Sequence, residues 1–325
     1  MLRTIVVGAG RISLSHIPHL IMHQQLDVVA IVEKSWVLRA VMRKLLNVKI
    51  YKSAAQINLD DYDLVFLLTP PGSHFNLAEG FISNNKHVFI EKPLCLNPKD
   101  SRRLLALAEK NQVQVSVGYV YRFHPIFMKL RQIITDKVYG SPVNAKITML
   151  GNVVNADSKM SWRSGGLGAG CLYDYGCHVI DLSLFLFGSA GSYKCESKES
   201  VFSVGVIDRF TASLRFKNYR KLNAEIECDW ANENVRKASL SVLIETDTHS
   251  IFTDGQTIQI KGVSDDYISI KDLDTNVSYY LRGEEFQLQL DHLLSSIISG
   301  CTSTSNNEHA ASVDEIIENF HEAMV

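Results

Sequence analysis

The first third of the chain alternates short, unbroken apolar runs with stretches of helical periodicity. Unbroken runs rich in Val, Ile and Leu are typical of strands that are covered on both faces. The repeated order of strand and helix predicts an α/β fold with a parallel, doubly wound sheet. The apolar runs cover residues 4–7, 28–32, 64–68, 88–90 and 113–117.

After about residue 140 the pattern becomes a strict alternation of apolar and polar residues, clearest from Leu222 to Trp230. Such alternation is typical of strands with one buried face and one polar face, and it predicts a mostly antiparallel sheet. Helical periodicity returns at 284–298 and 313–324, which predicts two C-terminal helices. The other alternating runs cover 144–150, 203–216, 238–246, 256–261, 266–271 and 276–281.

The composition changes this picture little, because it is that of an ordinary globular protein. The chain has 325 residues, 46% of them apolar and 21% charged, with a net charge of -2. Two domains are therefore expected, with no overall basic footprint for nucleic acid and none for lipid, although a local basic patch can hide in a balanced total. The longest apolar runs fall short of the roughly 20 residues that cross a bilayer.

Six cysteines occur without a CxxC pair, at positions 95, 171, 177, 195, 228 and 301. This spacing favours reduced thiols over a disulfide framework or a zinc site, so no metal is expected. The N-terminus enters a first strand without a cleavable leader, and we expect a cytoplasmic protein.

A glycine-rich turn follows the first strand: Gly8-Ala9-Gly10-Arg11-Ile12-Ser13. It is a G-x-G-x-x-G pattern with serine in the third glycine's place. Gly8 permits the tight turn, and Gly10 lets the backbone of Gly10, Arg11 and Ile12 approach a pyrophosphate at a helix N-terminus. A chance glycine turn is the alternative, but the position in the first strand–helix unit favours a dinucleotide site.

Glu33 ends the second predicted strand and lies near the spacing at which a carboxylate binds the adenosine ribose hydroxyls. Its alternative role is a solvated loop acid. Lys34 and Arg39 follow it and would attract a 2′-phosphate that Glu33 would repel. We therefore expect NAD as cofactor, with NADP possible.

Several further segments carry a shared pattern. Besides the Gly8 loop with His16, these segments are Thr69-Pro70-Pro71 with His74, Glu91-Lys92-Pro93, Gly118-Tyr119 with Arg122-Phe123 and Pro125, Trp162-Arg163, and Gly170 through Asp174, Gly176, His178 and Asp181. In order and spacing, over essentially the whole chain, they resemble the glucose–fructose oxidoreductase, inositol dehydrogenase and MocA (Gfo/Idh/MocA) family. The Glu91-Lys92-Pro93 (EKP) segment together with the D-x-G-x-H segment at Asp174 is specific, whereas each alone is not.

The resemblance implies a Rossmann dinucleotide-binding domain over 1–122, followed over 123–325 by an α+β domain with an open, largely antiparallel sheet. It places Thr69, Pro70, His74 and Glu91 at the cofactor, and it implies a homodimer or homotetramer. Family members act on sugars, inositols and sugar nucleotides. One departure is Val120, which stands where the family often has asparagine.

Hydride transfer at a carbinol carbon needs a base for the hydroxyl proton and a group that stabilises the developing oxyanion. Lys92 follows a strand of the parallel sheet, where α/β folds bind ligands, and can supply that positive charge. An exposed lysine is the structural alternative, and the family resemblance favours the catalytic role.

Asp174, His178 and Asp181 have the spacing of one helix face. The imidazole titrates near neutrality, and a neighbouring carboxylate can orient and charge it. There are two alternatives. His178 could be a core histidine that is hydrogen-bonded to an acid of the same helix, or the D-x-x-x-H-x-x-D pattern could form a metal site. The resemblance favours His178 as proton donor or acceptor and Asp174 as its partner or a substrate anchor, with Asp181 structural.

Three more residues are candidate substrate contacts. Arg163 could bind a substrate carboxylate or phosphate, or form a salt bridge instead. Tyr121 and Arg122 lie near the predicted domain junction.

The leading hypothesis is an NAD(P)-dependent dehydrogenase or reductase of a sugar, cyclitol or sugar nucleotide. A nicotinamide-binding sensor without turnover, and an enzyme that uses the cofactor transiently in elimination or hydrolysis, are the alternatives.

Overall fold

The computed structural model describes residues 1–152, 168–201, 206–275, 283–300 and 304–323. The chain divides into two compact units. The first contains Met1–Val120 and Val277–Asp314, and the second contains Tyr121–Asn276 and Glu315–Val325. The predicted domain division at 122/123 stays a prediction, and Val277–Asp314 cluster with the first unit although they follow that division in the chain.

The first unit contains a six-stranded sheet with the order β3-β2-β1-β4-β5-β6, in which every pair is parallel. This confirms the predicted doubly wound sheet. Its strands are β1 (Leu2–Val7), β2 (Leu26–Val32), β3 (Lys49–Tyr51), β4 (Leu64–Leu67), β5 (His87–Ile90) and β6 (Val115–Val117). Its helices are α1 (Ser13–Met22), α2 (Trp36–Leu45), α3 (His74–Ile82) and α4 (Pro98–Lys110), joined late in the chain by α7 (Glu284–Ser299).

Helix α7 belongs to the first unit because its apolar face completes the core there. Leu290, Leu293 and Leu294 are buried in one cluster with residues of α1 and of the central strands, including Leu20 and Phe66. The 3.6-residue period of α7 shows that it has an apolar face, but the period does not identify the sheet that covers this face. The sequence pattern alone therefore does not place α7 in the first unit.

The second unit contains an eight-stranded sheet with the order β14-β13-β12-β11-β7-β10-β9-β8. Neighbouring strands are antiparallel except β7 and β10, which are parallel, so the largely antiparallel sheet is confirmed. Its strands are β7 (Pro142–Leu150), β8 (Ala190–Glu199), β9 (Arg209–Phe216), β10 (Asn223–Asp229), β11 (Ser239–Thr246), β12 (His249–Thr253), β13 (Thr257–Gly262) and β14 (Asp266–Ser269).

Two helices, α5 (Pro125–Asp136) and α6 (Cys177–Phe187), precede most of these strands, and α6 packs on β7 and β10. The last helix, α8 (Thr304–Glu322), begins earlier than the predicted 313. The polar face of β7 and β10 carries Lys146, whose Nζ lies 3.1 Å from Glu225 Oε1 and 2.8 Å from Glu227 Oε2. The predicted strand at 276–281 lies outside the described residues.

Strand β8 was not predicted because its residues show no apolar alternation. It is an edge strand with mostly exposed or half-buried side chains. Within the described ranges, no helix is both long and apolar enough to cross a membrane.

Candidate active site

The glycine turn between β1 and α1 is shaped by contacts that only particular residues permit. Gly8 has a φ of +100°, and a Cβ there would lie 2.5 Å from the carbonyl oxygen of Leu68. Ser13 is fully buried, and its hydroxyl donates to the carbonyl oxygen of Gly10 (2.6 Å). A small residue is therefore required at position 13, as the sequence predicts, and glycine at position 8.

Gly10, Arg11 and Ile12 form the exposed part of this turn. A Cβ on Gly10 would meet no atom within 4 Å, so the backbone here borders open space. Helix α1, which the structure describes throughout, has no side-chain cap at its N-terminus. Open space in front of an uncapped helix N-terminus fits the pyrophosphate of a dinucleotide, because the N–H groups of the first turn can donate to it.

Glu33 lies directly beside this turn. Its Oε2 accepts from the N–H of Ala9 (2.7 Å), and its Oε1 accepts from the N–H of Ser35 (2.7 Å). Arg39 Nη1 donates to the carbonyl oxygens of Glu33 (2.9 Å) and Lys34 (2.6 Å). The carboxylate is thus fixed at the edge of the loop, and the guanidinium that could attract a 2′-phosphate is bound to backbone carbonyls.

The EKP segment follows β5, and its glutamate is buried. Glu91 Oε1 lies 2.8 Å from His16 Nε2 of α1, and Glu91 Oε2 accepts from the N–H of Lys92 (3.1 Å). A Cβ on Gly118 would come within 2.9 Å of the Glu91 carboxylate. Lys92 itself is half-buried. The contact between His16 and Glu91 could not be predicted from the sequence, because the two residues are far apart in the chain.

His74 links the turn after β4 to the EKP segment. Its Nδ1 lies 2.9 Å from the carbonyl oxygen of Pro93, and its Nε2 lies 2.8 Å from that of Thr69. Burial lowers the pKa of His74, so the neutral ring donates to one of the two carbonyls at a time. The side chain is fully buried, so these two contacts hold the turn after β4 against the EKP segment, and a contact of His74 with the cofactor stays a prediction. Thr69 is half-buried and Pro70 exposed.

In the second unit, Asp174 and His178 lie on either side of a change in helix geometry. Asp174 belongs to a π-helical turn, Leu172–Gly176, and His178 to the start of α6. Asp174 is buried and His178 is half-buried. A π turn is often found at functional sites because it widens the helix locally. Gly176 packs closely here, since a Cβ would lie 3.0 Å from Phe210 Cζ.

Arg122 and Asp181 form a buried ion pair in the same unit. Arg122 Nε lies 2.8 Å and 2.9 Å from the two carboxylate oxygens of Asp181, and both residues are almost fully buried. Asp181 therefore has the structural role expected of it. With its Nε and Nη2 directed at Asp181, Arg122 also has a structural role, and its contact with substrate stays a prediction.

An aromatic ring packs against His178, next to a small aromatic cluster. Tyr121 packs edge-on against it with ring centroids 5.0 Å apart, and against Phe127 at 5.8 Å. His124 packs on Phe127 at 5.2 Å, and burial lowers the pKa of His124 to about 4, so this ring is neutral near pH 7. The predicted substrate residue Arg163 lies outside the described residues. In the described part of the chain, no group of three or more His, Cys, Asp or Glu could hold a metal ion.

Two family profiles match most of the chain. The one described as "Oxidoreductase family, NAD-binding Rossmann fold" matches residues 2–119. The one described as "GFO/IDH/MocA C-terminal domain" matches residues 127–250. The two profiles therefore match both halves of the predicted architecture in the predicted order.

Individual relatives agree with these profiles. Oxidoreductase P35 of Formosa agariphila is 26% identical over 240 residues, which cover 70% of this chain and 74% of the relative. Myo-inositol 2-dehydrogenase of Thermotoga maritima is 28% identical over 224 residues, 66% of this chain and 64% of the relative. Three other curated relatives are matched over 63%, 52% and 47% of their lengths, so the chain spans about half to three quarters of those it matches.

A solved structure has the same fold. Levoglucosan dehydrogenase in complex with NADH and levoglucosan superposes with a TM-score of 0.86 at 18% identity, covering 99% of this chain and 96% of that chain. From the two profiles, which together match residues of both units, we conclude that the chain is a member of the Gfo/Idh/MocA family of oxidoreductases, with an NAD-binding Rossmann domain.

Proposed function

We propose that this chain transfers hydride between a nicotinamide cofactor and a carbinol or ketone carbon of a sugar, cyclitol or sugar nucleotide. The observation that carries the proposal is that Lys92, Asp174 and His178 occur together in a chain of an NAD-binding oxidoreductase family. A protein that only sensed the nucleotide would need none of these three side chains.

Each of the three side chains has a role that its chemistry suits. The nicotinamide, when bound, accepts or donates the hydride. Lys92 stabilises negative charge on the reacting oxygen, because its ammonium group is a compact positive donor. His178 takes up or returns the hydroxyl proton, since imidazole titrates near neutrality. Asp174 orients His178 or anchors a substrate hydroxyl.

The surroundings of Lys92 support this role. Its N–H is bound by Glu91, whose carboxylate is in turn held by His16, and the next residue in the chain is held by His74. Such second-layer contacts restrict the backbone that carries a catalytic group, which lowers the cost of orienting it in the transition state. His178 is similarly supported by Tyr121.

We further propose that NAD is preferred over NADP. The Glu33 carboxylate is fixed by two backbone N–H groups, so it cannot easily move away from a 2′-phosphate. Arg39 would first have to leave the carbonyls of Glu33 and Lys34 before it could bind that phosphate. Arg163, Tyr121 and Arg122 as substrate contacts, the homodimer or homotetramer, and the cytoplasmic location all stay predictions.

The experiment that tests the proposal follows the absorbance of reduced nicotinamide with a panel of sugars, sugar acids, inositols and sugar nucleotides. On the substrate found, Lys92→Ala should lower turnover by about 10² to 10³ and His178→Ala by about 10² to 10⁴. Lys99→Ala, on the exposed start of α4, is the matched control and should leave turnover unchanged. NAD affinity, measured by calorimetry, should change little in all three variants.

Two outcomes would contradict the proposal. Near wild-type turnover of either variant would remove Lys92 or His178 from the chemistry. Tight binding of NAD without turnover of any member of the panel would favour the sensor that the sequence leaves as an alternative.

A further inference from the structure

Helix α2 carries several exposed apolar side chains. Within this helix, which the structure describes throughout, only Met42 is buried. Trp36 is 73% exposed and Leu45 is 74% exposed, and Val37 and Val41 are exposed as well. Because Val37, Val41 and Leu45 are spaced by four residues, they form one stripe along the helix. An apolar stripe of this kind on a surface helix marks an interaction site.

The same segment carries charge of a single sign. Between Glu33 and Asp60 the sequence contains six basic residues and no acidic residue, although the whole chain has a net charge of -2. Five of the six are exposed, and only Arg39 is half-buried. This is a local basic patch hidden in a balanced total. The basic residues are Lys34, Arg39, Arg43, Lys44, Lys49 and Lys52.

We propose that α2 and these six basic residues, together called the α2 surface, bind the surface of an anionic lipid bilayer. A short helix with an apolar stripe and basic flanks lies in the plane of a lipid interface. Anionic head groups bind the lysines and arginines, while Val37, Val41 and Leu45 enter the boundary with the acyl chains.

Other occupants fit the α2 surface less well. A free phosphate or a nucleic acid would bind the basic residues but leave the apolar stripe in water. A second copy of the chain, docked through the same face, would bring two sets of six positive charges together. An anionic bilayer pairs with the basic residues through its head groups and also removes the apolar stripe from water.

The fold provides a matched control surface on the opposite side of the parallel sheet. The connections β1-α1-β2 and β2-α2-β3 step along the sheet in one direction, whereas β4-α3-β5 and β5-α4-β6 step in the other. Since such crossovers are right-handed, α2 and α4 cover opposite faces. Lys99 and Lys110 of α4 are exposed and can serve as the control pair.

The test is cosedimentation of the full-length protein with phosphatidylcholine vesicles, with and without phosphatidylglycerol. We expect binding only to the anionic vesicles, and weaker binding as salt is added. Lys44→Glu with Lys49→Glu should weaken binding by more than about tenfold, since each basic residue contributes roughly fivefold near an anionic surface. Leu45→Ser should also weaken it. Lys99→Glu with Lys110→Glu, and Val263→Ser at an 84% exposed position in the second unit, should not.

Failure to bind anionic vesicles, or binding that the α2 variants do not weaken, would overturn the proposal. A dimer that Leu45→Ser dissociates would also overturn it. So would binding to soluble polyanions that is as tight as binding to vesicles and is not weakened by Leu45→Ser.

Discussion

Asp314 of α8 is a buried carboxyl group whose ionisation should destabilise the protein. It is 3% exposed, and its Oδ2 accepts from the N–H of Cys95 (2.9 Å) and from the hydroxyl of Ser101 (2.6 Å). Both donors are neutral, and they do not offset the loss of hydration of the carboxylate. Burial therefore raises the pKa of Asp314 from 3.8 to about 7.

This shift predicts how stability depends on pH. As pH rises above about 4, Asp314 ionises in the unfolded state but stays protonated in the folded state, because its folded pKa is raised. The free energy of unfolding is therefore highest below about pH 4 and falls as pH rises through about 7. A shift of about three units corresponds to roughly 4 kcal/mol. Asp314→Asn imitates the protonated acid at every pH. Its unfolding free energy relative to wild type should therefore rise by up to about 4 kcal/mol between about pH 4 and about pH 7, and stay constant above.

Urea unfolding of both proteins across this range, followed at matched pH, measures the difference while other titrating groups cancel. The Cys95 N–H donates a hydrogen bond to Asp314. Its hydrogen-exchange rate therefore reports the loss of stability at this site. A difference in stability that does not change with pH would show that Asp314 is ionised in the folded protein, and it would refute the reasoning.

Further substitutions give contrasting outcomes. Asp181→Asn should destabilise the protein by about 3–5 kcal/mol in urea unfolding near pH 7, because it leaves Arg122 buried without its carboxylate; a loss below about 1 kcal/mol would contradict a stabilising ion pair. Gly8→Ala should lower the melting temperature and abolish NAD binding, since the added Cβ meets backbone atoms at a positive φ, whereas Gly10→Ala should weaken NAD binding with no change in melting temperature. His74→Phe should lower turnover on the true substrate more than His74→Gln, which keeps one N–H donor; equal turnover of the two would argue against a hydrogen-bonding role.

The fold of the first unit was largely predictable because most of its strands have a local sequence pattern. Runs such as Ile5 to Val7 and Leu64 to Leu67 are buried on both faces, so apolar residues follow one another without interruption. Strand β3 was missed because three residues are too few to show a pattern. Strand β8 was missed because an edge strand does not need apolar residues.

The candidate site was predictable only where a motif reflects a local requirement. Gly8 is required by its own backbone angle, and Ser13 by the packing of its own helix, so both can be read from the sequence. The roles of Glu91 and His74 depend instead on partners in other elements, namely His16 and the carbonyl of Pro93. Such pairings have no sequence period, which is why neither the carbonyl partners of His74 nor the carboxylate partner of Arg122 could be predicted.

The late arrival of α7 in the core of the first unit has a consequence for how the protein is made. When Val117, the end of β6, leaves the ribosome, the strands of this unit are all present, but Leu290, Leu293 and Leu294 have not yet been synthesised. The apolar residues that they cover, Leu20 and Phe66 among them, stay uncovered while Tyr121–Asn276 of the second unit are translated. The nascent chain therefore exposes an uncovered apolar face for much of its synthesis, and we expect this interval to be where chaperones bind it.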